Sequence, residues 1–360
     1  GQRAALDESY IGQTRNLLVS GTFDRFHESE VTELPNLPDV TNLEIFVNGA
    51  QFSMVRGVLE SYSRTLNLYT AELTRRIIWQ SPDGVRLHMR WQRMVSQDDV
   101  HIIAAAVEIT PDQDMELRFL SGINCRTTNS GTQHMVEGNA RVYDGTLLEY
   151  PVQTQQSEIQ VVMHSTHRLL LNGELQEQLP KIVPGRRYLG ASYIVKVAAG
   201  QTVRLEKISS VHTARDFCYA KFTQEKANEY VLEDSLREFR IAAQSSYDAL
   251  QQCSAQAWQA FWEQQDVQVN GNDPADQLMI RFAIYHLNCM ANRQDNRVGI
   301  AAKGLSGEGY KGHSFWDTEI FVFPYYLFTQ PQAARRLLEY RYLCLKGARK
   351  KAKENGFSGA

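Results

Sequence analysis

At 360 residues the chain is long enough for two or three domains. Its 43% apolar and 22% charged residues are those of an ordinary soluble globular protein, and a net charge of −3 supplies no basic field to attract nucleic acid. No run approaches the 18 or so apolar residues of a membrane-spanning helix. Five widely spaced cysteines (Cys125, Cys218, Cys253, Cys289 and Cys344) form no C-x-x-C pair, so neither a disulfide framework nor a zinc knuckle is indicated, and a reducing, cytoplasmic setting is expected. The chain opens on Gly1-Gln2-Arg3-Ala4-Ala5, without an initiator Met or a signal peptide. It closes on Gly356-Phe357-Ser358-Gly359-Ala360 directly after a helix stop, so both ends read as cuts through a longer protein.

Residues 1–205 have β character. Leu43-Glu44-Ile45-Phe46-Val47 alternates and then meets Asn48-Gly49, a strong hairpin signal. Rigid Leu34-Pro35-Asn36-Leu37-Pro38, bracketed by Glu30, Glu33 and Asp39, precedes it and reads as an interaction arm or a surface loop. Val85, Leu87, Met89 and Trp91 alternate with Arg86, His88, Arg90 and Gln92, which gives one apolar and one polar face. Further short apolar runs occur at 102–109, 115–119, 169–171 and 193–197, separated by Asn172-Gly173, Ala199-Gly200 and similar turns. This pattern predicts an antiparallel sandwich of many short strands. His164 and His167 lie three apart in this β region, where helical metal-ligand geometry is unattainable, and they read as structural.

Near residue 222 the character switches. Residues 225–267 contain no Gly or Pro, and Leu236, Phe239, Ala243, Tyr247 and Leu250 recur at helical spacing, followed by Trp258, Phe261 and Trp262. A helical linker packed on a neighbouring domain is expected. Asp273-Pro274 can open the next helix, predicted over 277–292; a glycine-rich loop follows at 299–312, then helices over 318–329 and 331–354. The last helix has Pro at its start, Lys350, Lys351 and Lys353 near its end and Gly356 beyond it. The expected organisation is therefore a β-sandwich at 1–222, a helical linker at 223–270 and the first helices of an all-α domain at 271–360.

The chemistry concentrates at 307–319. Gly307, Gly309 and Gly312 spell G-x-G-x-x-G, but they follow a loop in an α-rich region. A dinucleotide fingerprint requires a parallel strand before it and a helix after it. Trp316-Asp317 is the stronger candidate, because flat aromatic faces cover the C–H side of a pyranose while carboxylates accept bonds from its hydroxyls. The bland alternative is a buried Trp beside an N-capping Asp. His313 suits a sugar hydroxyl or phosphate, or is an ordinary loop histidine. Lys303 and Lys311 suit an anion, or are solvated charges. Glu308 and Glu319 are further carboxylates, with Glu319 too close to Asp317 along a helix start to share its face.

Residues Ala302-Lys303-Gly304-Leu305-Ser306-Gly307-Glu308-Gly309-Tyr310 through Trp316-Asp317-Thr318-Glu319 resemble glycoside hydrolase family 65, the phosphorylases of α-linked glucose disaccharides (maltose, trehalose, kojibiose, nigerose). Gly1-Gln2-Arg3 with Gly12-Gln13-Thr14-Arg15, the Glu33–Asp39 stretch, Leu337–Tyr342 and Gly347-Ala348-Arg349 extend the resemblance to essentially the whole chain, which looks most like the kojibiose-cleaving branch. The resemblance implies an N-terminal β-sandwich, a helical linker and the start of an (α/α)6 barrel. It implies that Trp316 and Asp317 line the glucose subsite, with His313 and Phe315 as nearby pocket wall. It also implies inverting phosphorolysis, with inorganic phosphate as co-substrate, no metal or organic cofactor, and a homodimer. The family's general-acid glutamate and phosphate loop are expected beyond Ala360, so no catalytic residue is assigned within this chain, which by itself is expected to be inactive. A trehalase-like hydrolase on the same scaffold is the main alternative, and a non-catalytic carbohydrate-binding or dimerisation module the second.

Overall fold

The computed structural model describes residues 16–271 and 273–358, together with the backbone of Gln2 and Arg3. Gly12–Arg15, which carry part of the resemblance, lie outside the described residues, as do Gly359 and Ala360. Two antiparallel sheets are stacked. The larger runs, edge to edge, Met135–Glu137, Leu147–Thr154, Gln160–Leu171, Val203–Thr213, Ile102–Pro111, Arg86–Val95, Glu72–Gln80 and Val58–Asn67. The smaller runs Lys181–Gly185, Tyr188–Val197, Met115–Asn124, Leu43–Val47 and Ala50–Gln51. Many of the strands are longer than the sequence suggested. The run predicted at 115–119 extends to Asn124, and that at 169–171 is the end of a strand that begins at Gln160.

Turn chemistry fixes the registers. Asn48 and Gly49 both adopt positive φ (48° and 84°), and Asn172 and Gly173 do the same (51° and 86°); each pair closes a two-residue hairpin. That backbone matches the twist of the flanking strands and favours Asn-Gly. The inward faces of the two sheets meet in one core that includes Trp79, Leu87, Val107, Leu117, Phe119, Met163 and Leu205.

The segment read as an interaction arm or surface loop is neither. Leu34 through Val40 are buried, and Leu37 is completely so. Polar side chains satisfy its backbone: Asn129 Oδ1 accepts from Asn36 N–H at 2.7 Å, and Thr127 Oγ1 donates to the carbonyls of Asn36 and Leu37. A proline-rich string that cannot join a ladder can still be buried when side chains take up its carbonyls.

Residues 225–267 form two helices, α1 (Gln224–Ala242) and α2 (Tyr247–Gln265), rather than one continuous stretch. The break is a serine cap, with Ser246 Oγ accepting from Ala249 N–H at 3.2 Å. The cap lets Tyr247 turn in against the sheet, where its N–H donates to buried Glu206 and its ring packs with Met94, Ala104 and Ala106. Phe239 on α1 packs on Ile102, Leu147 and Ile208. The two helices therefore form a third layer, over the outer face of the larger sheet.

Helix α3 (Pro274–Met290) begins three residues earlier than predicted, with Asp273 capping Ala275 N–H at 2.8 Å. Trp258, Phe261 and Trp262 of α2 pack against Ile284 of α3 and against Leu68 and Ala71 of a sandwich turn; Trp262 Nε1 donates to Leu68 O. After the glycine-rich stretch come α4 (Phe323–Thr329) and α5 (Pro331–Glu354). The predicted single helix over 318–329 instead opens with a wide turn at Thr318–Val322, in which Phe323 N–H reaches back to Thr318 O. Pro324 explains it: a proline lacks the N–H and crowds the carbonyl four residues back, and a widened turn relieves both problems. α5 ends as predicted, with Gly356 at φ 83° and Phe357 N–H bonded to Ala352 O.

Candidate functional site

The glycine-rich stretch is a strap pinned to the sandwich. It contains the short strand Ala302–Leu305 and a tight turn at Gly309–Gly312 in which Tyr310 and Lys311 both adopt φ 55°. Two successive left-handed non-glycine residues are strained, and the surroundings hold them there. Lys311 O accepts from Leu34 N–H at 3.0 Å, and Lys311 Nζ pairs with Glu33 at 3.3 Å. Glu308 accepts from Ser130 Oγ at 2.9 Å and Asn16 Nδ2 at 3.3 Å. Gly312 lies so close to Leu34 that a Cβ there would meet Leu34 Cδ1 at 2.4 Å. The Gly307-x-Gly309-x-x-Gly312 run opens no long helix, so the geometry of a dinucleotide site is absent from these described residues.

His313 is committed to the same seam. Its Nε2 donates to Thr32 O at 2.6 Å, and its ring lies 5.2 Å from that of Phe23. Beneath the strap a cavity of about 140 Å³ is lined by Gly21, Phe23, Leu34, Val298, Gly312 and Tyr340, among others. Behind the seam, His134 is buried between Asp24 (2.9 Å) and Glu33 (3.1 Å). Burial opposes its protonation, but the bonds to the two carboxylates prevail and raise it above the usual histidine value.

Past His313 the chain turns outward. Trp316 is 68% exposed and Phe315 41%, which sets aside the bland alternative of a buried tryptophan at this turn. Tyr310 sits edge-on to Phe315 at 5.4 Å, and Phe321 lies 6.2 Å from Trp316. The result is an open aromatic surface. Asp317 occupies the N-cap position but is helical (φ −60°, ψ −29°), and its side chain makes no capping bond. Half-buried beside Trp316, its carboxylate has no partner among the described residues. Glu319, by contrast, is fully engaged: Arg341 grips both of its oxygens at 2.6 and 2.8 Å and donates to Phe315 O at 2.6 Å. Thr318 Oγ1 donates to Ile300 O from the buried side. Lys303 lies 5.6 Å from the Tyr310 ring centroid.

Of the residues singled out from the sequence, Phe315, Trp316 and Asp317 are thus brought together on one open turn, while His313, Glu308 and Lys311 hold the strap to the sandwich. Sequence reasoning missed Arg341, which fixes the turn from α5. Nothing in its spacing distinguishes it from the other basic residues of that helix.

A two-sheet sandwich backed by helices thus leads into a helical region that presents an aromatic–carboxylate turn. The chain belongs to glycosyl hydrolase family 65: residues 1–261 match its N-terminal domain and residues 281–360 its central catalytic domain. It is 40% identical over its whole length to kojibiose phosphorylase of Halothermothrix orenii and 36% identical to that of Escherichia coli, covering 46% of each. Trehalose phosphorylase of Thermoanaerobacter brockii (27%) and nigerose phosphorylase of Lachnoclostridium phytofermentans (25%) also match across the whole chain. The fold superposes on a solved structure assigned as a kojibiose phosphorylase, from the human microbiome, with TM-score 0.84 and 19% identity, over 98% of this chain and 46% of that one. The chain spans about half the length of the relatives it matches.

Proposed function

We propose that the complete enzyme carrying this chain is an inverting phosphorylase of an α-linked glucose disaccharide, with kojibiose the favoured substrate, and that it releases β-glucose 1-phosphate and glucose. Similarity over the whole of this chain to about half the length of two kojibiose phosphorylases carries this reading. The unpartnered Asp317 carboxylate beside the exposed Trp316 supports it, because a sugar binds to such a pair. Asp317 accepts hydrogen bonds from two hydroxyls of the glucosyl ring, Trp316 covers its apolar face, and Phe315 closes the edge. His313 and Arg341 act one step back, holding the turn in place. These contacts serve catalysis to the extent that they tighten as the ring flattens towards an oxocarbenium-like state.

An inverting hydrolase requires a second carboxylate to activate water, whereas phosphate is already an anionic nucleophile and needs only positioning. The proposed reaction therefore uses one acid, which protonates the glycosidic oxygen, and phosphate on the opposite face of the ring. None of this chain's glutamates is assigned the role of that acid. The enzyme is proposed to work as a cytoplasmic homodimer without a catalytic metal or organic cofactor. Among the described residues no helix is long and apolar enough to cross a membrane, and light scattering of the purified protein tests the dimer.

The deciding assay incubates the complete enzyme with kojibiose, maltose, trehalose and nigerose, with and without phosphate, and follows the anomeric product by NMR. Release of β-glucose 1-phosphate only with phosphate, and fastest from kojibiose, is the expected result. Glucose release without phosphate makes the enzyme a hydrolase, and binding without turnover makes the chain part of a recognition module.

A further inference from the structure

We propose that His101, His212 and Asp216 form a binding site for a divalent transition-metal ion, of the zinc class, that staples the end of the larger sheet to the link leading into α1. One donor atom from each of these three side chains lies within 4.8 Å of the other two. The residues come from separate places: the turn before strand Ile102–Pro111, the last residues of strand Val203–Thr213, and the loop after it. The two imidazoles are stacked, with centroids 4.3 Å apart and planes within 10°.

Around these donors stands the outer shell that a metal site requires. Asp99 Oδ1 lies 3.1 Å from His101 Nδ1, and Glu238 Oε2 lies 3.5 Å from His212 Nδ1. The Asp99 carboxylate on Nδ1 fixes the His101 ring plane, while Glu238 stands within ion-pair range of His212 Nδ1. Asp216 is oriented as well: its Oδ1 accepts from Thr213 Oγ1 at 2.8 Å and its Oδ2 from Thr213 N–H at 3.0 Å. His101 Nε2 lies 3.2 Å from Asp216 Oδ2.

The independent observation is His212 itself. It is 3% exposed, and its Nε2 is buried without a hydrogen-bond partner. A buried polar atom left unpaired is costly; several other buried side chains here also carry one, and what distinguishes His212 is that two further donors stand within 4.8 Å of its own. A bound ion supplies that partner. Two imidazole nitrogens and one carboxylate, with water in a fourth position, make a ligand set for zinc; calcium and magnesium prefer all-oxygen shells. Bonds of about 2.0–2.2 Å place tetrahedral donors about 3.3 Å apart; the in-plane lone pairs of stacked rings do not converge, so one imidazole has to swing out of the stack to meet the ion. The ion replaces the proton that otherwise bridges His101 Nε2 and Asp216.

The location gives the ion a structural task. Arg297 of the helical part donates to the backbone carbonyls of Arg215 (2.7 Å) and Asp216 (3.5 Å). Fixing Asp216 therefore also fixes one side of the seam on which the Gly312 strap rests.

The test uses the complete protein, stripped with a chelator and reloaded with zinc or cobalt. One zinc per chain by mass spectrometry, the visible absorption of tetrahedral cobalt and a rise in Tm on zinc addition are expected. His101→Ala and Asp216→Asn, at partly exposed positions, lose at least about 100-fold in zinc affinity while keeping the wild-type circular dichroism. Asp99→Asn and Glu238→Gln lose about 10–100-fold, the usual effect of removing an outer-shell partner. Should His212→Ala not fold, those four variants decide the matter. Sub-stoichiometric zinc in the wild type, or wild-type affinity in His101→Ala and Asp216→Asn, overturns the proposal.

Discussion

Asp317→Ala separates binding from folding. The carboxylate makes no capping bond and has no partner among the described residues, so its removal breaks no bond among them. Loss of a working N-cap typically costs about 0.5–2 kcal/mol, but with no capping bond to lose, stability should stay within about 0.5 kcal/mol of wild type. The substrate complex is a different matter. Two charge-assisted bonds to sugar hydroxyls, at about 1.5–3 kcal/mol each, sum to about 3–6 kcal/mol, or about 10²–10⁴-fold in kcat/KM. Asp317→Asn keeps an acceptor oxygen without the charge and should fall between alanine and wild type. The assay is initial-rate phosphorolysis of the preferred disaccharide by the complete enzyme, beside thermal unfolding of the same preparations. A kcat/KM within threefold of wild type for Asp317→Ala refutes the assignment. A large fall in Tm that parallels the activity loss refutes the argument that the carboxylate is structurally idle.

Arg341→Ala frees Glu319 and the Phe315 carbonyl together. The half-exposed ion pair contributes at most about 1 kcal/mol to stability, yet loosening the turn should lower kcat/KM about 10–100-fold, since small misplacements of binding groups are expensive. Rate loss without a matching Tm loss is the expected signature. Gly312→Ala combines a left-handed backbone (φ 77°) with a Cβ placed 2.4 Å from Leu34 Cδ1, and should cost about 2–5 kcal/mol in thermal stability; an unchanged Tm would show that the strap yields freely. His134 sets a pH dependence. Its folded pKa is raised above the ordinary 6.5, so its contribution is complete below 6.5 and fades as pH rises through the folded value; that of Asp24, lowered from 3.8, fades as pH falls below 3.8. The stabilising window of the pair therefore spans about pH 4 to 6.5, and the Tm difference between wild type and His134→Gln should shrink from pH 6 to pH 9. A constant difference would mean that His134 is neutral in the folded protein.

How much of this was legible in the sequence follows from how many faces each element buries. Strand Arg86–Val95 alternates cleanly and was found. Strand Val203–Thr213 was not, because one face meets the smaller sheet and the other meets α1 and α2, so it is buried almost throughout and alternation disappears. Its polar residues escaped notice for the same reason: Lys207 donates to the Asn42 and Gly122 carbonyls, Ser209 bonds Ser165, and Ser210 bonds His164, pairings that require strands far apart in sequence. The break between α1 and α2 was hidden because the apolar spacing continues through Ala243 to Tyr247, and only the serine cap at Ser246 marks the turn. At the candidate site the residue types were legible but not their allegiance. Glu308, Lys311, His313 and Glu319 all carry chemistry suited to a sugar or phosphate, and the fold spends each on the sandwich seam or on Arg341. What sets Asp317 apart is that, among the described residues, nothing bonds its half-buried carboxylate, and the tryptophan beside it is exposed; that pairing is what the Asp317→Ala comparison tests.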